Sequence, residues 1–218
     1  MGKRKGKELI IRYLIFIVGL FIASMGVAFS AKAGLGTSPV ASVPYSVSLV
    51  LPLLSFGTYL NILSVIQITI QVLIQRKNCN PLEILVQTVL AFAYGFLTDF
   101  SCYLIRDMVV EAYIARFLVM LLGCLVLALG LWIQYKGGVA MLPGEAMNKA
   151  IAGVTGKKYE NIKIFFDIFY IVLSALITLV FLRKLVGVRE GSFIAAIAIG
   201  NIMKLFNKAF DKIVNKKH

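Results

Sequence analysis

The sequence predicts an all-α integral membrane protein: six transmembrane helices in two three-helix repeats, inverted relative to each other, each with a short Gly/Pro-broken or re-entrant helix. Three observations lead there. The 218 residues are 60% hydrophobic and only 15% charged, with a mean hydropathy of +0.88, more apolar surface than a soluble core of this size can hide. The apolar residues fall into six runs of about twenty, enough at a 1.5 Å rise to cross the hydrocarbon core. The chain also resembles itself in two halves, about 9–105 and 113–208, within a single membrane domain spanning 1–218.

The first run, 9–31, follows a basic start carrying Lys3, Arg4, Lys5, Lys7 and Arg12. With Ala31-Lys32-Ala33 behind it, it imitates a secretory signal. It is longer than a usual h-region and recurs in the second half, so it is expected to be retained. The remaining runs are 56–75, 84–105, 113–135, 160–182 and 190–208. The C-terminal stretch carries Lys204, Lys208, Lys212, Lys216 and Lys217. Basic residues flanking spans favour the cytoplasmic side, which places both termini inside. That topology, rather than nucleic-acid binding, accounts for the net charge of +13. Arg76/Lys77 and Lys136 through Lys158 then fall inside, while Arg106, Arg116, Arg183, Lys184 and Arg189 fall outside.

Gly19, Gly26, Gly34 and Pro39 recur 104 residues later as Gly123, Gly130, Gly138 and Pro143. The spacing becomes 100 for Tyr59/Tyr159 and Asn61/Asn161, and 105 for Gly95/Gly200. Three spans per half invert the second copy; if the broken segments cross completely, eight spans and parallel halves result. The glycines seven apart lie on one helical face and allow close helix contact within the chain or between protomers of a homo-oligomer.

Each first span ends in a break, Gly34-Leu35-Gly36-Thr37-Ser38-Pro39 in one half and Gly138 through Pro143-Gly144-Glu145 in the other. Proline suits a helix start, so short helices are expected over 39–54, despite Pro44 and Pro52, and over 143–155, ending at Gly156. Paired interruptions at membrane depth point to a binding site, because irregular backbone survives there only if buried in protein or lining a cavity. Gly34, Gly36, Thr37, Ser38, Gly138, Gly144 and Glu145 are therefore candidate substrate-binding or coupling positions. Interfacial loops joining spans are the plainer alternative.

Charges at bilayer depth cost at least about 2.5–3.5 kcal/mol. Lys163 and Asp167, four apart on one helix face, are expected to pair and are candidates for coupling. Asp99 and Lys204 occupy matching places in the two halves with opposite charge and are read as a structural ion pair. Asn61, Gln67, Asn148 and Asn161 are amides able to hold a ligand or to bridge helices. Cys79, Cys102 and Cys124 form no framework, and the one histidine is His218. No metal site, cofactor or catalytic constellation is indicated, so the chain is not expected to be an enzyme.

The Gly34–Pro39 stretch, Leu142-Pro143-Gly144-Glu145 and the Lys163/Asp167 pair, within a similarity over about 10–208, resemble the YczE/YyaS/YitT family of bacterial membrane proteins, nearest its YczE-like branch. The resemblance implies a multi-pass plasma-membrane protein of largely uncharacterised activity, in a family that includes a member associated with lipopeptide antibiotic production. The larger C-terminal soluble domain of YitT-like members is not expected here. The leading functional expectation is a small-molecule or ion transporter in contact with the lipid bilayer and no nucleic acid. The alternatives are a membrane-embedded regulatory or scaffold protein and the substrate-binding subunit of an ATP-driven importer.

Overall fold

The computed structural model describes residues 2–76 and 79–215. Lys77, Lys216, Lys217 and His218 lie outside the described residues, as do the side chains of Lys3, Arg4, Lys5 and Lys212. Eight helices make up the described chain: α1 (Gly2–Ala33), α2 (Pro39–Val50), α3 (Phe56–Gln75), α4 (Pro81–Leu104), α5 (Tyr113–Gly137), α6 (Pro143–Thr155), α7 (Tyr159–Leu182) and α8 (Glu190–Asn215). Six of them, all but α2 and α6, are long and apolar enough to cross a membrane.

Helix boundaries follow local chemistry. α1 and α5 stop where Gly34 (φ +66°) and Gly138 (φ +59°) turn left-handed, a conformation open to glycine at little cost. α2, α4 and α6 each begin at a proline, whose missing N–H is harmless in a first turn. Asn80 caps α4 by accepting from the Leu82 N–H at 3.1 Å, and Ser55 caps α3 by accepting from Thr58 at 3.1 Å. α2 is shorter than the sequence suggested: it ends at Val50, because Leu51 precedes Pro52 and is pushed out of helical geometry.

The tightest packing joins α1 to α5, which cross antiparallel. Gly19 lies against the Gly130 carbonyl, and Gly26 against the Gly123 carbonyl and the Leu127 backbone. The spaced glycines thus meet inside one chain, letting two backbones approach as closely as side chains normally would. α4 runs parallel to α1, joined by Ser24 to Ser101 (3.0 Å) and by the Lys32 ammonium donating to the Arg106 carbonyl (2.6 Å). α8 runs parallel to α5, with Gly191 beside Met120 and the Trp132 indole donating to Asn207 (3.0 Å). The start of α1 and the end of α8 therefore sit at the same end of the bundle. α2 packs on α7 and α6 on α3.

Asp99 departs from the expected ion pair with Lys204, which is exposed and makes no ion pair among the described residues. Its carboxylate instead accepts from the Gly57 N–H at 2.7 Å and from the Ser55 hydroxyl, at the start of antiparallel α3. The exposed N–H groups and dipole of a helix start hold a carboxylate without needing a distant lysine. Asp99→Ala should lower unfolding stability in detergent by about 1–2 kcal/mol. A denaturation midpoint equal to wild type would mean that this cap contributes nothing.

Candidate functional site

The two short helices begin beside the middle of long ones. Pro39–Ser46 lies along Tyr170–Ser174 of α7: the Ser42 hydroxyl donates to Pro39 O (2.7 Å) and reaches Tyr170 O (3.4 Å), while Ser46 and Ser174 hydroxyls meet at 2.5 Å. Gly144, in the first turn of α6, sits over the Gln67 amide of α3, where an added Cβ would lie 3.2 Å from Nε2. Serines line the α2–α7 seam and a glycine the α6–α3 seam, because short side chains allow close approach and hydroxyls satisfy backbone carbonyls locally.

The first break is closed. Gly36 (φ +104°) is pressed against Ser192 and the Arg189 backbone at the start of α8, and the Gly191 N–H donates to Leu35 O at 3.0 Å. Thr37 is fully buried, Gly34 and Ser38 are half-buried, and none of the four lines a recess. Gly138 at the second break is exposed.

The second break opens beside a recess of ≈ 460 Å³ between α3, α4 and α6, lined by Gln71, Gln75, Glu83, Met141, Ala146 and Lys149 among others. Gln71 is the buried amide that lines it, and two further buried amides stand on the helices that frame it, Gln87 on α4 and Asn148 on α6. Gln71 and Gln87 are each 2% exposed and Asn148 7%. Gln71 Oε1, Asn148 Oδ1 and both amide atoms of Gln87 have no hydrogen-bond partner among the described groups. Asn148 follows Gly144 by one turn as Gln71 follows Gln67, so both stand one turn beyond the Gly144–Gln67 contact. α3 and α4 run antiparallel, with Gly57 opposite Asp99 and Asn61 against Gly95, which puts Gln71 and Gln87 at similar levels of the two helices. Gln87 in turn lies one turn along α4 from Glu83 on the rim.

Each buried, unpartnered polar group costs about 1–3 kcal/mol, a cost kept where something binds. The rim carries one carboxylate, Glu83, and one ammonium, Lys149, both exposed. The recess therefore offers hydrogen bonds with little net charge.

Of the expected positions, Gln67 and Gly144 meet in the α3–α6 seam and Asn148 lies one turn further along α6; none of the three lines the recess. Gln67 donates to the Tyr170 hydroxyl at 2.9 Å, tying α3 to α7. Lys163 and Asp167 pair at 2.9 Å on α7, with side chains 46% and 20% exposed. Glu145, exposed on the α7-facing side of α6, feels the Lys163 ammonium across that contact. These three charges adjoin the recess without lining it. Asn61 sits against Gly95 in the α3–α4 seam with its Oδ1 buried and unpartnered, and Asn161 is exposed. Neither reaches the recess.

Sequence reading missed Gln71 and Gln87. The signal available was an amide repeating one turn after Gln67 on an apolar helix, and a second glutamine one turn after Glu83. Among the described residues, no group of three or more His, Cys, Asp or Glu side chains is placed to hold a metal.

Residues 10–208 match the model of a family of unknown function. No curated protein and no solved structure matches the chain.

Proposed function

The chain belongs to that family, DUF6198, and from this footing we propose that it transports a small polar solute, uncharged overall, held in the recess between α3, α4 and α6. The observation that carries the proposal is the polar lining of that recess, where the buried, unpartnered Gln71 Oε1 lies beside Gln75, Glu83 and Lys149. A solute donating to Gln71 would satisfy a group that otherwise costs stability, and the opposed charges of Glu83 and Lys149 at the rim favour neither an anion nor a cation.

The arrangement of the halves supports the reading. Under the 104-residue shift the contact Gly19–Gly130 becomes Gly123–Gly26, the same interface read from its other side. Likewise α1–α4 corresponds to α5–α8, and α2–α7 to α6–α3. A repeat whose first helices cross antiparallel is an inverted repeat, and such proteins place their sites beside broken helices near the bilayer midplane. We take both termini as cytoplasmic in the plasma membrane, which opens the recess inward. Glu145, Lys163 and Asp167 form the coupling group, a carboxylate beside an ion pair able to exchange partners as α6 and α7 shift.

The test is a thermal-shift screen of the detergent-purified protein against amino acids, sugars, vitamins, nucleosides, ions and amphiphiles. At a hundredfold excess over Kd, binding adds about 2.7 kcal/mol, a readily visible shift. The expected result is a concentration-dependent hit among neutral or zwitterionic solutes that Gln71→Leu removes. In proteoliposomes, Glu145→Gln and Asp167→Asn should suppress flux of the same solute while leaving its binding. A blank across the panel with folded protein would sink the transport reading and favour the regulatory one, which a co-purifying partner protein would identify.

A further inference from the structure

The two halves differ in one contact. α3 and α4 are joined tightly, with Gly57 against the Gly95 carbonyl and Gly95 against Asn61. Their counterparts α7 and α8, although consecutive, barely touch. Gly200, the match of Gly95, faces open space. Between the helices lies a cleft of ≈ 500 Å³, walled by Ile171, Ala175, Leu179, Leu185 and Phe193 and closed at one end by Arg189 and Glu190.

That end is basic. The α7–α8 connection carries Arg183 and Lys184, both exposed, and Arg189. Glu190, the one acid beside them, already accepts from the Tyr113 hydroxyl at 3.0 Å and lies 3.4 Å from the Arg189 guanidinium. Three cations against one engaged carboxylate leave an excess of two positive charges at the mouth. The α4–α5 connection at the same end has no such excess, since Arg106 and Arg116 are matched by Asp107 and Glu111. The positive charge that fits poorly with an outward-facing loop is thus concentrated at the mouth of an apolar cleft.

We propose that this cleft binds an anionic phospholipid, with an acyl chain between α7 and α8 and the phosphate against Lys184 and Arg189. An apolar groove with a basic mouth is complementary to such a lipid in both parts, its acyl chain and its anionic headgroup. Charge complementarity favours this occupant over a second copy of the chain, whose own α7–α8 end would bring the same cations.

The experiment is native mass spectrometry with thermal-shift titration of the detergent-purified protein. It compares phosphatidylglycerol, phosphatidylcholine and soluble glycerol phosphate. Phosphatidylglycerol should bind and stabilise, phosphatidylcholine at least tenfold more weakly, and glycerol phosphate not at all. Lys184→Gln and Arg189→Gln should each weaken phosphatidylglycerol roughly fivefold, the weight of one basic side chain near an anionic lipid. Ala175→Trp, filling the cleft while sparing the charges, should also reduce it. Equal binding of both lipids, glycerol phosphate binding as well as the lipid, or affinity unchanged in the variants would each overturn the proposal. Dimers that persist when phosphatidylglycerol is added and vanish in Ala175→Trp would do so as well, by assigning the cleft to a second copy.

Discussion

Gly26→Leu should abolish the folded protein. A Cβ at this position would lie 2.6 Å from Leu127 Cα and 2.7 Å from the Gly123 carbonyl, closer than any carbon settles against backbone. The obstructing atoms belong to a helix main chain, so relief requires moving α5 as a whole. α5 also carries α8, and α1 carries α4, so the displacement reaches both halves. The expected loss is about 4 kcal/mol or more, at the exceptional end for a single change. Size-exclusion profiles of detergent extracts should show aggregated or absent protein for Gly26→Leu and for its counterpart Gly130→Leu. Gly200→Ala, facing open space in the middle of α8, should be neutral or gain up to about 1 kcal/mol from helix propensity. A monodisperse Gly26→Leu protein with an unchanged melting temperature would refute the α1–α5 crossing.

The second large effect has the opposite sign. Gln87→Leu should raise the stability of the ligand-free protein by about 1–3 kcal/mol, because it removes two buried, unpartnered polar atoms and replaces them with apolar groups of similar volume. Gln71→Leu, whose unpartnered Oε1 lines the recess, should likewise gain stability and should lose the ligand-induced shift. Gain of stability with loss of binding is the signature of a polar group kept for function rather than for folding. Gln67→Leu supplies the contrast, since its amide is already engaged: it donates to Tyr170, and removing it strands a buried hydroxyl. That variant should be less stable than wild type. The measurement is the apparent melting temperature of each purified variant without ligand. A drop for Gln87→Leu as large as that for Gln67→Leu would mean Gln87 is satisfied in the folded protein.

The six long helices were legible because composition and run length alone decide whether a segment can leave water, and no tertiary partner is needed for that. Both breaks were legible too, since glycine and proline act on their own backbone. The glycines seven apart announced a close contact but not its location, because spacing on one helix says nothing of what faces it. The Lys163/Asp167 pair was predictable as a local i,i+4 contact. Asp99 and Lys204 were not: matching sequence positions in two halves implied a pair, whereas the nearest stabilising charge for Asp99 is the start of α3, visible only once α3 and α4 are placed side by side.

The candidate site divides along the same line. Gly144, Gln67 and Asn148 could be singled out from the sequence because they stand on or beside a broken segment. Gln71 and Gln87 looked like ordinary polar positions on apolar helices, where an amide more often bridges two spans. Their importance lies in the partners they lack, and a missing partner has no sequence signature. The sequence by itself determined that this chain is a bundle of membrane-length helices with two interruptions, because hydrophobic length and backbone propensity are properties of single segments. Only the tertiary structure decided which helices cross antiparallel, which break is sealed and which opens onto a recess, because these depend on distances between segments far apart in the chain.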